Sequence, residues 1–156
     1  IVTIEDAAEL SMKQRHVVRL ETKRASVESP TEVSIRDLIK NSLRMRPERI
    51  IIGECRSGEA LDMLQAMNTG HEGSMSTIHA NSTRDALVRI ETLLAVSGYD
   101  ASEKAIGRLI GSALDIIIQL VRRPDGKRMV SDVVSLSPTD AEPYHMDYLY
   151  RSQDHE

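Results

Sequence analysis

The 156-residue chain has one cysteine, no tryptophan and no phenylalanine. Cys55 alone forms neither an internal disulfide nor a cysteine-based zinc site. An aromatic content of 3% removes the stacking platforms on which single-strand nucleic-acid binders depend. Basic charge is not in excess either. Lys+Arg 20 against Asp+Glu 24 leaves a net charge of -4, so no general attraction to nucleic acid or anionic membrane is expected. Neither a signal-like segment nor a long apolar run occurs, and the expected compartment is the cytoplasm. The 40% of hydrophobic residues suffices for the core of one domain.

Strand and helix periods alternate along the chain. Ile1–Ile4 is a β-branched run without N-terminal punctuation, which reads as a chain opening inside a strand, and therefore as a piece of a longer protein. His16–Leu20 is extended, and Glu21 to Glu32 is a polar loop containing Pro30. Ser34, with Asp37 three positions on, caps a helix carrying Ile35, Leu38, Ile39, Ser42 and Leu43 on one face, and Pro47 ends it at Arg46. Arg49–Gly53 is a short continuous apolar strand of the kind buried on both faces of a parallel sheet. A helix from Ser57 to about Asn68 closes at Gly70, and a strand spans Gly73–Ile78.

Two further helices start at Asn81 or Ser82, ending at Gly98, and at Ser102. Asp115–Val121 and Met129–Leu136 flank the turn Pro124-Asp125-Gly126 as a hairpin. Thr139–Glu156 reads as a polar tail. The order of elements predicts an α/β layer structure with a largely parallel sheet.

Three polar clusters fall at predicted strand ends, where open α/β sheets place ligands. Glu5-Asp6-Ala7-Ala8-Glu9 is suited to hold Mg²⁺ through waters; the plainer alternative is a solvated strand end. Ile50-Ile51-Ile52-Gly53-Glu54 delivers a carboxylate to the sheet edge, where a P-loop NTPase presents the acid that orients its attacking water; many buried strands simply end in Glu. Gly70 to Ser82 carries His71 and His79 among Gly, Ser, Thr and Asn, as a phosphate sensor would, although a solvated and a buried structural histidine would look the same. The histidine spacing lacks the short intervals of zinc motifs. Arg44, Arg46, Arg49 and Arg56 crowd the second cluster, and Arg46 is the first candidate for a phosphate contact; others are surface charges. Cys55 reads as a small buried residue.

Taken in order, Ile4–Leu10, Leu43–Glu54 and Gly70–Ser82 resemble the secretion and pilus-assembly ATPases, most of all the CpaF-like branch, which shares the stretch Ala60–His71. The likeness extends over roughly residues 1 to 136. It implies an Asp box, an atypical Walker B and a His box in a RecA-like P-loop NTPase core with a C-terminal β-hairpin. A partial motor domain over residues 1–138 would be followed by the tail at 139–156. The resemblance further implies ATP and Mg²⁺ as cofactors, a hexameric ring hydrolysing ATP at subunit interfaces, inner-membrane platform partners, and a cytoplasmic site at the inner membrane.

By the same resemblance Glu54 positions the attacking water, Glu5 with Asp6 supports Mg²⁺, and His79 and Arg46 meet phosphate. His71 matches the start of the His box with a less defined role, and Glu9 matches its motif without one. No G-x-x-x-x-G-K-[ST] phosphate loop occurs in these residues, although the family carries one shortly before its Asp box. The expectation is therefore an N-terminally truncated motor, inactive by itself. The alternatives are a non-catalytic module that joins or regulates such a ring, and a nucleic-acid translocase, against which charge and missing aromatics count.

Overall fold

The computed structural model describes residues 1–27, 30–139 and 142–152. Strands β1 (Val2–Glu5), β2 (Val18–Glu21), β3 (Ile50–Ile52) and β4 (Met75–Ser76) form a parallel sheet in the order β2-β1-β3-β4. Val2 and Ile4 pair with Ile50 and Ile52, which puts all four on one face. These four share one core with α1 (Ile35–Ser42), α2 (Glu59–Met67), α3 (Thr83–Val96) and α4 (Glu103–Ala113), which contribute Leu38, Ile39, Leu64, Leu87, Leu94 and Ile110. Ile4, Ile39, Leu64, Leu94 and Ile110 are fully buried, each stabilising the fold by roughly 1.5–3 kcal/mol relative to exposure. The unbroken isoleucines of β3 are buried throughout, as a central parallel strand requires.

The helices begin where serine occupies the cap. Ser34 Oγ accepts from Asp37 N–H while Asp37 Oδ2 accepts from Ser34 N–H, a reciprocal capping box. Ser82 and Ser102 accept from the N–H groups of Asp85 and Ala105. The α1 helix ends earlier than Pro47 predicts: Leu43–Met45 tighten into a 3₁₀ turn and Arg46 turns left-handed at φ 53°. The strand expected over Gly73–Ile78 shrinks to Met75–Ser76, because Gly73 sits at φ 76° and Ser74 spends its hydroxyl on His71 O.

A second, antiparallel sheet follows in the order β5-β6-β7, built from β5 (Ile116–Arg122), β6 (Arg128–Ser137) and β7 (His145–Arg151). The first two strands are the expected hairpin. The third replaces part of the expected polar tail, of which residues 140, 141 and 153–156 lie outside the described residues. Val134 and Leu136, both buried, pair with Tyr148 and Met146, so the tail carries apolar ring and thioether surface to the sheet.

The chain entering β7 is clamped on α4. A Cβ at Gly107 would lie 2.4 Å from Pro143 Cβ, and one at Gly111 would lie 2.9 Å from Pro143 O. Gly107→Ala would ordinarily stabilise a helix interior by about 1 kcal/mol. Here the rigid proline ring stands in the way, so the expected result is a net loss of roughly 1–3 kcal/mol from overpacking. Urea unfolding measures it; a gain in stability would show that the segment does not dock on α4.

Candidate functional site

The carboxyl ends of β1, β3 and β4 bring together residues far apart in sequence. Glu5 closes β1 and is only 5% exposed. Its Oε1 accepts from the N–H groups of Glu9 at 3.1 Å and Leu10 at 3.0 Å, which folds the following loop back onto the strand end. Its Oε2 is buried with no hydrogen-bond partner. Such an oxygen is costly unless something polar meets it.

Gly53 makes room for this arrangement. A Cβ there would lie 3.1 Å from Glu5 Cγ, so the glycine before Glu54 lets two neighbouring strand ends each carry a carboxylate. Asp6 is more exposed than Glu5 and accepts from Thr22 Oγ1–H at 3.1 Å, tying β1 to the end of β2.

Glu54 follows β3 with its side chain 20% exposed. Arg56 Nη2 lies 2.5 Å from its Oε2, and His79 Nε2 lies 3.2 Å from its Oε1. The Arg56 hydrogen bond holds the Glu54 carboxyl below the usual range, so the group is ionised at neutral pH and serves as an acceptor. Thr77 locks the segment from the next strand: its Oγ1–H donates to Gly53 O at 2.6 Å, and its carbonyl accepts from Cys55 N–H at 2.9 Å. His79 itself is almost wholly solvent-exposed.

Glu5, Asp6, Glu54 and His79 thus share one sheet edge. Arg46 and His71 do not. They precede β3 and β4 rather than follow them, and parallel strands put those positions at the opposite edge. His71 Nδ1 lies 3.3 Å from Ala66 O, packed against the end of α2. Glu9 is exposed and contributes its backbone N–H to Glu5, not its carboxylate.

Cys55 is buried, donates to Met63 Sδ at 3.4 Å, and has its thiol pushed up to about 11 by burial. No thiolate chemistry is open to it at neutral pH. Among the described residues no three His, Cys, Asp or Glu side chains converge as a metal site. A divalent cation here would therefore share its shell with ligand oxygens and water. Among them, too, no helix is long and apolar enough to cross a membrane.

Thr22, Thr77 and Glu59 also hold this edge together, and sequence reading did not single them out. Glu59 accepts from the N–H groups of Arg56 at 2.5 Å and Ser57 at 2.8 Å, a self-cap that shapes the loop after β3. The signal for it was present, an acid in the first turn of a helix.

Known proteins share both the sequence and the fold. A putative conjugal transfer protein of Mycobacterium tuberculosis is 40% identical over 136 residues, covering 87% of this chain and 38% of that protein. The type IV secretion system protein VirB11 of Bartonella henselae is 35% identical over 135 residues, covering 85% of this chain and 37% of its own length. The crystal structure of the VirB11 ATPase of Brucella suis, in complex with sulphate, superposes with a TM-score of 0.73 at 28% identity over 86% of this chain and 40% of that one. The Legionella pneumophila ATPase DotB, at 20% identity and a TM-score of 0.58 over 98% of this chain and 37% of its own, shares the fold. The chain spans about two-fifths of the length of these relatives. A family model described as type II/IV secretion system protein matches residues 1–148, and the chain belongs to that family.

Proposed function

We propose that this chain forms the hydrolytic edge of an ATP-driven secretion motor. The observation that carries the reading is the meeting of Glu5, Asp6 and Glu54 at the carboxyl ends of adjacent parallel strands, with one Glu5 oxygen buried and unpartnered. In this reading the ionised Glu54 accepts a hydrogen bond from the attacking water and orients it toward the terminal phosphate of ATP. His79, exposed beside Glu54, is the proposed contact to that phosphate.

Mg²⁺ fits the donor set. Glu5 Oε2 is a buried oxygen without a partner that a metal-bound water entering the strand end would satisfy, and Asp6, the next residue and half exposed, can accept from such waters at the surface. The ion, when bound, neutralises charge developing on the phosphates. Arg46 and His71 lie outside this edge, so the arrangement of Glu5, Asp6 and Glu54 lends their expected phosphate contacts no support.

The finer reading is a hexameric ring of the CpaF-like branch, working in the cytoplasm at the inner membrane on pilus assembly or protein export. It rests on the shared stretches Ile4–Leu10, Leu43–Glu54 and Ala60–Ser82. The names of relatives in conjugal transfer and type IV secretion support the secretion role, and the likeness to the Brucella suis VirB11 ATPase supports the use of ATP. The motor domain expected over residues 1–138 is proposed to take in β7 as well, since that strand pairs with β6.

The phosphates need a cradle that the 156 residues do not contain, since no G-x-x-x-x-G-K-[ST] occurs in them. The expected result is no ATP turnover above background by these residues alone, and turnover when they are joined to a phosphate-loop segment. Phosphate-release assays on both proteins test it. Robust Glu54-dependent turnover by the residues alone would remove the need for the loop. A silent joined protein would favour the non-catalytic ring module instead.

A further inference from the structure

Arg56 stands where the two carboxylate-bearing strand ends meet. Its Nη2 lies 2.5 Å from Glu54 Oε2 and its Nη1 lies 3.5 Å from Asp6 Oδ2. Glu54 follows β3 and Asp6 follows β1, so a single guanidinium spans the ends of neighbouring parallel strands. The backbone beneath it is fixed, because the nearly buried Glu59 carboxylate accepts from both Arg56 N–H and Ser57 N–H. Asp6 is held from the far side by Thr22, and the other Glu54 oxygen faces His79.

Stability does not account for this bridge. The Arg56 and Asp6 side chains are 64% and 53% exposed, and ion pairs that open to water contribute little to folding. Phosphate binding accounts for it poorly, since both terminal nitrogens of the fork already face carboxylates. What the geometry does achieve is orientation. A carboxylate on a short loop has free rotation about its side-chain bonds, and a planar fork that engages it together with a second, anchored carboxylate removes that freedom. The like charges of Asp6 and Glu54 are also kept at one edge without mutual displacement.

We propose, on the reading that this edge hydrolyses ATP, that Arg56 is a positioning residue that holds the Glu54 carboxylate in register with Asp6 across β1 and β3. It acts through Glu54 and makes no nucleotide contact. A lysine keeps the charge but loses the fork, so Arg56→Lys should hold Glu54 less well than arginine and better than alanine.

The test is made in a protein that joins this chain to a phosphate loop. Arg56→Ala is expected to lower kcat by about 10- to 100-fold while equilibrium affinity for a fluorescent ATP analogue stays within about threefold. Arg56→Lys is expected to fall between the two. Adding Arg56→Ala to Glu54→Gln is expected to change the residual rate by less than about threefold, because both act on one group. Should the alanine variant fail to fold, Arg56→Gln and Arg56→Lys carry the same comparison. A tenfold loss of nucleotide affinity with kcat retained would make Arg56 a phosphate contact and overturn the proposal. An unchanged kcat would also overturn it and leave a solvated ion pair. Full turnover in Glu54→Gln alone would instead bring down the hydrolysis reading, and this proposal with it, whatever the Arg56 variants do.

Discussion

Replacing Glu54 with Gln in a protein that carries this chain and a phosphate loop should reduce ATP turnover by about 10²- to 10⁴-fold, the range for removing a positioned acid–base group. Nucleotide affinity should hardly change. The amide is nearly isosteric with the carboxylate, and its oxygen can still accept from Arg56. What disappears is the negative charge facing the water, a charge that the Arg56 hydrogen bond maintains by holding the carboxyl below its usual range. Single-turnover hydrolysis and equilibrium binding of a fluorescent ATP analogue separate the two effects. A variant with wild-type turnover would take Glu54 out of the chemistry, and a variant that no longer bound nucleotide would recast it as a ligand-binding group.

The parts of this site that were legible in the sequence are those set by local rules. The isoleucines of β3 and the serine caps at 34, 82 and 102 announce a buried parallel strand and three helix starts, and the structure has them. Glu54 could be placed at a sheet edge because it directly follows that strand. Residues whose position depends on topology were harder to read. His71 and His79 belong to one short motif, yet a two-residue strand between them sends them to opposite edges. Within the acidic run after β1, spacing gave no sign that Glu5 turns inward while Asp6 and Glu9 face water, because the cause is the loop folding back to offer Oε1 two N–H groups. The β7 strand was hidden for a related reason. Tyr148, Leu149 and Tyr150 lie among charges, without the alternation that marks a half-buried strand, and the segment is held by its pairing with β6 and by Pro143 packed against Gly107 and Gly111.

Glu5 offers a sharper division of labour, because its two oxygens do different things. Oε1 accepts two backbone hydrogen bonds and Oε2 has none. Glu5→Gln can keep the amide oxygen in the first position and place its NH₂ in the second. The loop therefore stays anchored, and stability should change by no more than about 1 kcal/mol on urea unfolding. A donor at the second position, however, would turn away metal-bound water, whose hydrogens need an acceptor. In a protein with a phosphate loop the expected result is a fall in turnover together with a higher Mg²⁺ requirement.

Glu5→Ala removes both functions. Two part-buried N–H groups lose their acceptor, and hydrogen bonds to a carboxylate contribute roughly 1.5–3 kcal/mol each, so a stability loss of about 2–5 kcal/mol is expected. The contrast between the variants matters more than either value. If Gln is as destabilising as Ala, the unpartnered oxygen is structural, and the metal role assigned to Glu5 fails. If Gln is stable and the Mg²⁺ dependence of hydrolysis is unmoved, Asp6 alone must carry the contact to the metal shell. Only a stable Gln variant with a raised Mg²⁺ requirement gives the buried, unpartnered oxygen of Glu5 a reason to be there.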